Sequence, residues 1–184
     1  MLIHGDIFEQ EFGSDFDLII ADIPYVEVWN YDFVLFKLAS FLNKDGVLAV
    51  TVDTSSIVRA FIKYILSYGQ YLDLKKLDMF EDGTIWGNVL ILSLKDSDRQ
   101  LEQSNIIRLQ KGIGSHPNSK DGHLYRYIVE RFSKEGDSIL DPFMGEGNTG
   151  RICQDLNRKY TGVEINKQWF DIAVKNIGEP LKVS

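Results

Sequence analysis

The chain has 184 residues, of which 44% are apolar and 26% charged, and a formal net charge of −7. This is the size of one domain with room for a substantial core, and the composition of an ordinary soluble globular protein. The acidic balance argues against a broad electrostatic grip on nucleic acid, although it is compatible with a local basic groove. No apolar run reaches the length of a membrane span, and Met1-Leu-Ile-His-Gly-Asp6 lacks the basic and apolar regions of a secretory leader, so the cytoplasm is the expected compartment. A single cysteine, Cys153, excludes an intrachain disulfide, and its place on the apolar face of a predicted helix marks it as a packing residue.

In chain order, Leu2 to Asp6 reads as a very short strand ending at a Gly-Asp turn. Asp17-Leu-Ile-Ile-Ala21 is a continuous apolar run, suited to a parallel strand buried on both faces, and Pro24 forces it to end at Asp22. Apolar residues at 31, 34, 35, 38, 41 and 42 predict an amphipathic helix, and Lys44-Asp-Gly46 separates it from a strand over Val47–Val52. Thr54 or Ser55 can cap a further helix with a face of Ile57, Val58, Phe61, Ile62, Ile65 and Leu66, and Gly69 supplies its stop. The apolar runs around Tyr71–Met79 and Val89–Leu94 are too close for a crossover and predict an antiparallel hairpin, with Glu81-Asp82 in a solvated turn. Periodicity then fades between Lys95 and His123 and returns in a helix whose expected face is Leu124, Tyr127, Ile128, Arg131 and Phe132.

The most informative stretch is Ser138–Glu164: a short apolar strand, the glycine turn Asp141-Pro-Phe-Met-Gly-Glu-Gly147, an amphipathic run, and a strand ending at Glu164. A last helix carries Trp169, Phe170, Ala173 and Ile177. Such a strand–turn–helix sets backbone N–H groups and a helix N-terminus beside a nucleotide-like ligand. Gly145, Gly147 and Gly150 also satisfy the dinucleotide pattern, with Glu164 near the place of a ribose-binding acid, so a nicotinamide-dependent oxidoreductase is one alternative. Too little chain follows Glu164 for the usual continuation of that fold. The overall expectation is α/β: a Rossmann-like, mostly parallel sheet with one antiparallel hairpin and helices on both faces. Asp6, Asp22, Asp141 and Glu164 then fall at the carboxyl ends of strands, where ligands bind.

Taken in order, Asp22-Ile23-Pro24-Tyr25, His116-Pro-Asn-Ser119-Lys120 and Asp141–Gly147 resemble the amino-methyltransferases that modify exocyclic amines of DNA bases with S-adenosylmethionine. Their order resembles the permuted β-type branch of that family. The resemblance implies a single methyltransferase domain over 1–184, with a catalytic half at 1–95, a connecting loop at 96–123 and a cofactor-binding half at 124–184. It further implies that Asp141 lies near the methionine portion of S-adenosylmethionine, with Phe143, Gly145 and Gly147 shaping the pocket. Glu164 matches the acid on the ribose hydroxyls and Asp6 an acid near the adenine amine, while Ser119 and Lys120 match a loop over the methionine carboxylate. Asp22, Ile23, Pro24 and Tyr25 match the catalytic tetrapeptide. No metal is required.

The chemistry of that tetrapeptide can be argued from the residues. A base amine is a poor nucleophile because its lone pair is delocalised into the ring. A carboxylate (Asp22) and a backbone carbonyl ahead of Pro24, accepting its two N–H bonds, localise that lone pair toward a methyl donor. Tyr25 offers a stacking face worth about 1–3 kcal/mol, comparable with the few kcal/mol needed to extrude a base.

The chain departs from the family pattern at Ile23, where proline is usual, and at Glu146 and Asn148 in the glycine turn. It also shows no stretch with the length of a target-recognition segment. That leaves the loop with Trp29, Asn30 and Tyr31, and the locally basic stretch of Arg108, Lys111, His116, Lys120 and His123, to touch nucleic acid; Tyr25, Trp29, Tyr31 and Lys111 are the expected substrate contacts. His116 carries no expected proton-transfer role, and Trp86 and Trp169 are expected in the core or an interface. The opening Asp22 favours adenine N6 in DNA over cytosine N4. A cofactor-binding subunit that is non-catalytic, or active only with a separate recognition partner, is the other alternative, and a homodimer is compatible with the family.

Overall fold

The computed structural model describes residues 1–23, 31–53, 72–81, 86–94, 106–108 and 122–178, with the backbone alone at 31–32, 52–53, 72–81, 86–88 and 106–108. The strands are β1 (Leu2–His4), β2 (Phe16–Asp22), β3 (Leu42–Asp53), β4 (Leu72–Glu81), β5 (Trp86–Leu94), β6 (Ile106–Arg108), β7 (Ser138–Asp141) and β8 (Lys159–Glu164). The helices are α1 (Tyr31–Ala39), α2 (Gly122–Phe132), α3 (Asn148–Asp155) and α4 (Lys167–Ile177), and Ile7–Glu9 forms a 3-10 turn. The strands make one sheet in the order β1-β8-β7-β2-β3-β5-β4-β6. Every pairing is parallel except those of β5, which runs antiparallel to both β3 and β4. This is the expected α/β sheet with one hairpin.

The apolar run of β2 is buried throughout because both faces of the sheet are covered. Alternate residues point to opposite sides. Ile19 and Ala21 join Leu48, Val50, Leu90 and Leu92 against Val34, Leu35 and Leu38 of α1. Leu18 and Ile20 join Val47, Ala49, Val89 and Ile91 against Leu124, Ile128, Val129 and Phe132 of α2, and Ile152 and Cys153 of α3. Cys153 is fully buried there, and burial pushes its thiol well up, which keeps it protonated and unreactive. At the β1 edge, Ala173 and Ile177 of α4 close over Met144 and Leu2.

Several boundaries differ from the sequence expectation. Helix α1 ends at Ala39, and Phe41 and Leu42 are buried beyond it as the chain enters β3. The Lys44-Asp-Gly46 break lies inside β3, not before it: Phe16 pairs with Leu42 but Leu18 pairs with Val47, so the intervening residues form an irregularity. A Cβ on Gly46 would lie 2.6 Å from the backbone oxygen of Phe16, which makes glycine the residue for that approach. The stretch expected to be a connecting loop contains β6, which extends the sheet beside β4. On α2 the buried face is Leu124, Tyr125, Ile128, Val129 and Phe132, while Arg131 is exposed. The predicted helix over Ile57–Leu66 lies outside the described residues, as do Pro24, Tyr25, Trp29, Lys111, His116, Ser119, Lys120 and the side chains of Tyr31 and Trp86. No described helix is long and apolar enough to cross a membrane.

Candidate active site and cofactor cradle

Four neighbouring parallel strands, in the order β1-β8-β7-β2, deliver acids to one edge of the sheet. Asp6 follows β1, and Glu164, Asp141 and Asp22 end β8, β7 and β2. Strands are spaced about 4.8 Å apart, so the row spans roughly 15 Å. Register sets the depth of each acid. His4 pairs with Glu164, whereas Asp141 pairs with Gly162, two residues lower on β8. Ile19 pairs with Leu140, so Asp141 sits beside Ile20 and two residues below Asp22. Asp141 is therefore deep, at 4% exposure, while the other three acids are half-buried at the rim.

Asp141 is held by the Phe143 backbone N–H (3.3 Å), the Tyr160 hydroxyl (3.4 Å) and the Thr149 hydroxyl. Burial raises its carboxyl to about 7, and the charge of Asp22 adds to the rise; the Thr149, Phe143 and Tyr160 hydrogen bonds oppose it. Burial, followed by the charge of Asp141, pushes the Tyr160 phenol upward, so Tyr160 stays protonated and donates. Glu164 is oriented by two backbone donors, Gly145 N–H to Oε2 at 3.0 Å and Asn166 N–H to Oε1 at 2.7 Å. Asp6 caps the 3-10 turn by accepting from Phe8 N–H at 2.9 Å, and Gly5 N–H donates to the Glu164 carbonyl at 3.0 Å. The β1 and β8 rims are thus one hydrogen-bonded unit. Phe143 is half-buried and packs against the core on the α1 side of the sheet.

Gly147 has φ +82 and stands at the N-terminus of α3. A Cβ there would lie 2.6 Å from Ile177 Cδ1, so both backbone and space demand glycine. Gly147→Ala is expected to destabilise the protein by about 2–3 kcal/mol, combining left-handed strain with overpacking. Urea unfolding of the two proteins measures this; a midpoint within error of the wild type would contradict it.

At the other end of the row, Asp22 accepts from Thr51 Oγ1 at 2.6 Å through Oδ1 and from the Tyr125 hydroxyl at 3.0 Å through Oδ2. Ile23, 3% exposed, turns its side chain into the core on the α1 side of the sheet, so only its backbone is offered to the rim. The structure therefore gathers Asp6, Asp22, Asp141, Phe143, Gly145, Gly147 and Glu164 along one edge. Pro24, Tyr25, Trp29, Lys111, Ser119 and Lys120 are not among the residues it describes, nor is the side chain of Tyr31.

A model of the DNA methylase family, the N6/N4 methyltransferases, matches residues 68–175, more than half of the chain. The chain belongs to this family. Among relatives of this chain, the Type II methyltransferase M2.DpnII of Streptococcus pneumoniae is 39% identical over 70 residues, which are 38% of this chain and 26% of that protein. The match thus spans about a quarter of that relative's length. The structure of M1.HpyAVI in complex with SAM superposes with a TM-score of 0.79 at 22% identity, covering 97% of this chain and 98% of that one. The cytosine-N4-specific PvuII DNA methyltransferase superposes at 0.80 with 13% identity, covering 100% and 87%. At those identities the likeness establishes the fold.

Four residues that hold the acids escaped the sequence reading: Thr51, Tyr125, Thr149 and Tyr160. Thr51 left a trace, as the one polar residue in the run Val47–Val52. Tyr125 left none, because Tyr127, two positions on, fits a helical apolar face equally well until the packing of α2 is known.

Proposed function

We propose that this methylase binds S-adenosylmethionine and transfers its methyl group to the exocyclic amine of a DNA base, adenine N6 first. What carries the reading is the placement of Asp22 in the same row as Asp141 and Glu164, one strand away from the glycine turn. Asp141 supports the choice of cofactor. It is a nearly fully buried carboxyl whose described partners are a backbone N–H and two hydroxyls, and whose like-charged neighbour is Asp22, so the site is completed by a positive group. S-adenosylmethionine brings such groups near its methionine end. In this reading Glu164 takes the ribose hydroxyls, Asp6 the adenine amine, and Phe143, Gly145 and Gly147 shape the pocket. Ser119 and Lys120 hold the methionine carboxylate. When bound, the cofactor would supply an electrophilic methyl group and leave as the neutral thioether, while the amine nitrogen sheds one proton to Asp22 and from there to solvent.

The rest of the mechanism is the work of the chain. Asp22 accepts one amine N–H and the Ile23 carbonyl the other, which localises the lone pair of the amine. Pro24 keeps that carbonyl in an extended backbone, and Tyr25 stacks on the extruded base. Holding the amine in line accounts for much of the rate. Trp29, Tyr31 and Lys111 contact the DNA; with so few phosphate contacts binding is weak and salt-sensitive, and a separate recognition partner or a second copy of the chain supplies additional grip. Cytosine N4 is the second reading, because the matched family comprises both N6 and N4 methyltransferases.

Mass spectrometry of nucleosides from cells expressing the protein tests both. N6-methyladenine, absent with Asp22→Ala, is the expected product; N4-methylcytosine selects the second reading. If neither appears, and none forms in purified mixtures with candidate recognition subunits, the proposed activity is overturned.

A further inference from the structure

Building on the catalytic role proposed above for Asp22, we propose that Tyr125 and Thr51 are its positioning residues. They fix the plane of the carboxylate by bonding one oxygen each, and Tyr125 ties that plane to helix α2.

The terminal torsion of an aspartate is soft and roughly two-fold, so its plane must be set by partners rather than by the rotamer. Here each oxygen receives one hydroxyl, Oδ1 from Thr51 and Oδ2 from Tyr125. The Thr51 contact follows from register, since Asp22 and Thr51 are paired across β2 and β3. The Tyr125 contact comes from another layer, the helix packed on the second face of the sheet.

Both hydroxyls sit where apolar side chains would otherwise pack. Thr51 is 0% exposed, in a strand whose buried residues Val47, Leu48, Ala49 and Val50 are aliphatic. Tyr125 is 8% exposed among Leu124, Ile128, Val129 and Phe132. A buried hydroxyl in such surroundings needs its acceptor, and Asp22 is that acceptor for both. Helix α2 begins at Gly122, directly after the segment carrying Ser119 and Lys120.

Tyr125→Phe and Thr51→Val remove one hydroxyl each and keep nearly the same shape. Each is expected to lower kcat by about 10- to 100-fold, the scale of a small misplacement at the reacting centre, with S-adenosylmethionine affinity and the KM for DNA changed by no more than about twofold. Thr51→Ser should restore most of the rate, and Tyr125→Phe should cause no further loss in an Asp22→Ala background. A kcat within twofold of wild type in both variants, or equal further losses without Asp22, would overturn the positioning role. The crystal structure of the Thr51→Val/Tyr125→Phe double variant decides the same point without turnover: a rotated or split Asp22 carboxylate supports the role, and an unchanged one overturns it. A wild-type protein inactive on every DNA would instead sink the methyl-transfer reading, leaving the crystal structure to judge the positioning.

Discussion

Asp22→Ala is expected to lower methyl transfer by about 10³-fold while leaving S-adenosylmethionine binding intact or slightly tighter at neutral pH. The first half follows from the proposed chemistry: without the carboxylate nothing on β2 accepts the amine proton, and the lone pair stays in the ring. The second follows from the row of acids. The charge of Asp22 contributes to the raised pKa of Asp141, so its removal eases ionisation of the deeper carboxyl proposed to face the cationic ligand. Asp22→Asn, which retains a neutral acceptor, should fall between wild type and alanine. Single-turnover transfer and calorimetric binding measure the two halves. A parallel loss of cofactor affinity would show that Asp22 belongs to the cofactor site and not to catalysis.

Asp141→Asn is expected to stabilise the ligand-free protein and to cripple cofactor binding. The carboxyl is raised from 3.8 to about 7 in the fold, so the folded state holds its proton more tightly than the unfolded chain. The destabilisation is therefore absent below pH 4, grows from pH 4 to 7, and is complete above pH 7. At ~1.36 kcal/mol per pH unit, it reaches about 4 kcal/mol at most. At pH 8 the asparagine variant should be more stable than wild type by about 2–4 kcal/mol, and at pH 4 by nothing attributable to this group. A positive ligand group favours the carboxylate, so cofactor binding should release a proton near neutral pH. Affinity should then fall about tenfold per pH unit below 7. Calorimetry in buffers of different ionisation enthalpy reads that proton directly. A dissociation constant flat from pH 5.5 to 8 would remove Asp141 from the cation site.

Asp22 and Asp141 were both readable as strand-end acids, because each closes a run of buried apolar residues at a turn containing proline. The glycine turn was readable for a similar local reason: Gly147 must accept a positive φ, and its sequence neighbours already form the strand and helix it joins. Less was readable where the deciding partner is distant in sequence. The face of α2 was misjudged by one step because Tyr125 and Tyr127 have similar apolar bodies, and the choice between them is made by the sheet beneath and by Asp22. Strand β6 was missed because three residues carry no period of their own; it exists through its pairing with β4. The irregularity in β3 looked like a break because Gly46 is a turn residue by habit, whereas here it admits the Phe16 backbone.

The sequence by itself determined the fold class, the strand-end acids and the glycine turn of this protein, since each depends on hydrophobic period, proline and glycine acting over a few residues. Only the tertiary structure decided their relative depth and orientation. Parallel register sets Asp141 two residues below Asp22 and Glu164, and removal from water there raises its carboxyl. Contacts between strands and a helix far apart in the chain place one hydroxyl on each oxygen of Asp22. Those effects arise from burial and register, which come into being when the layers pack.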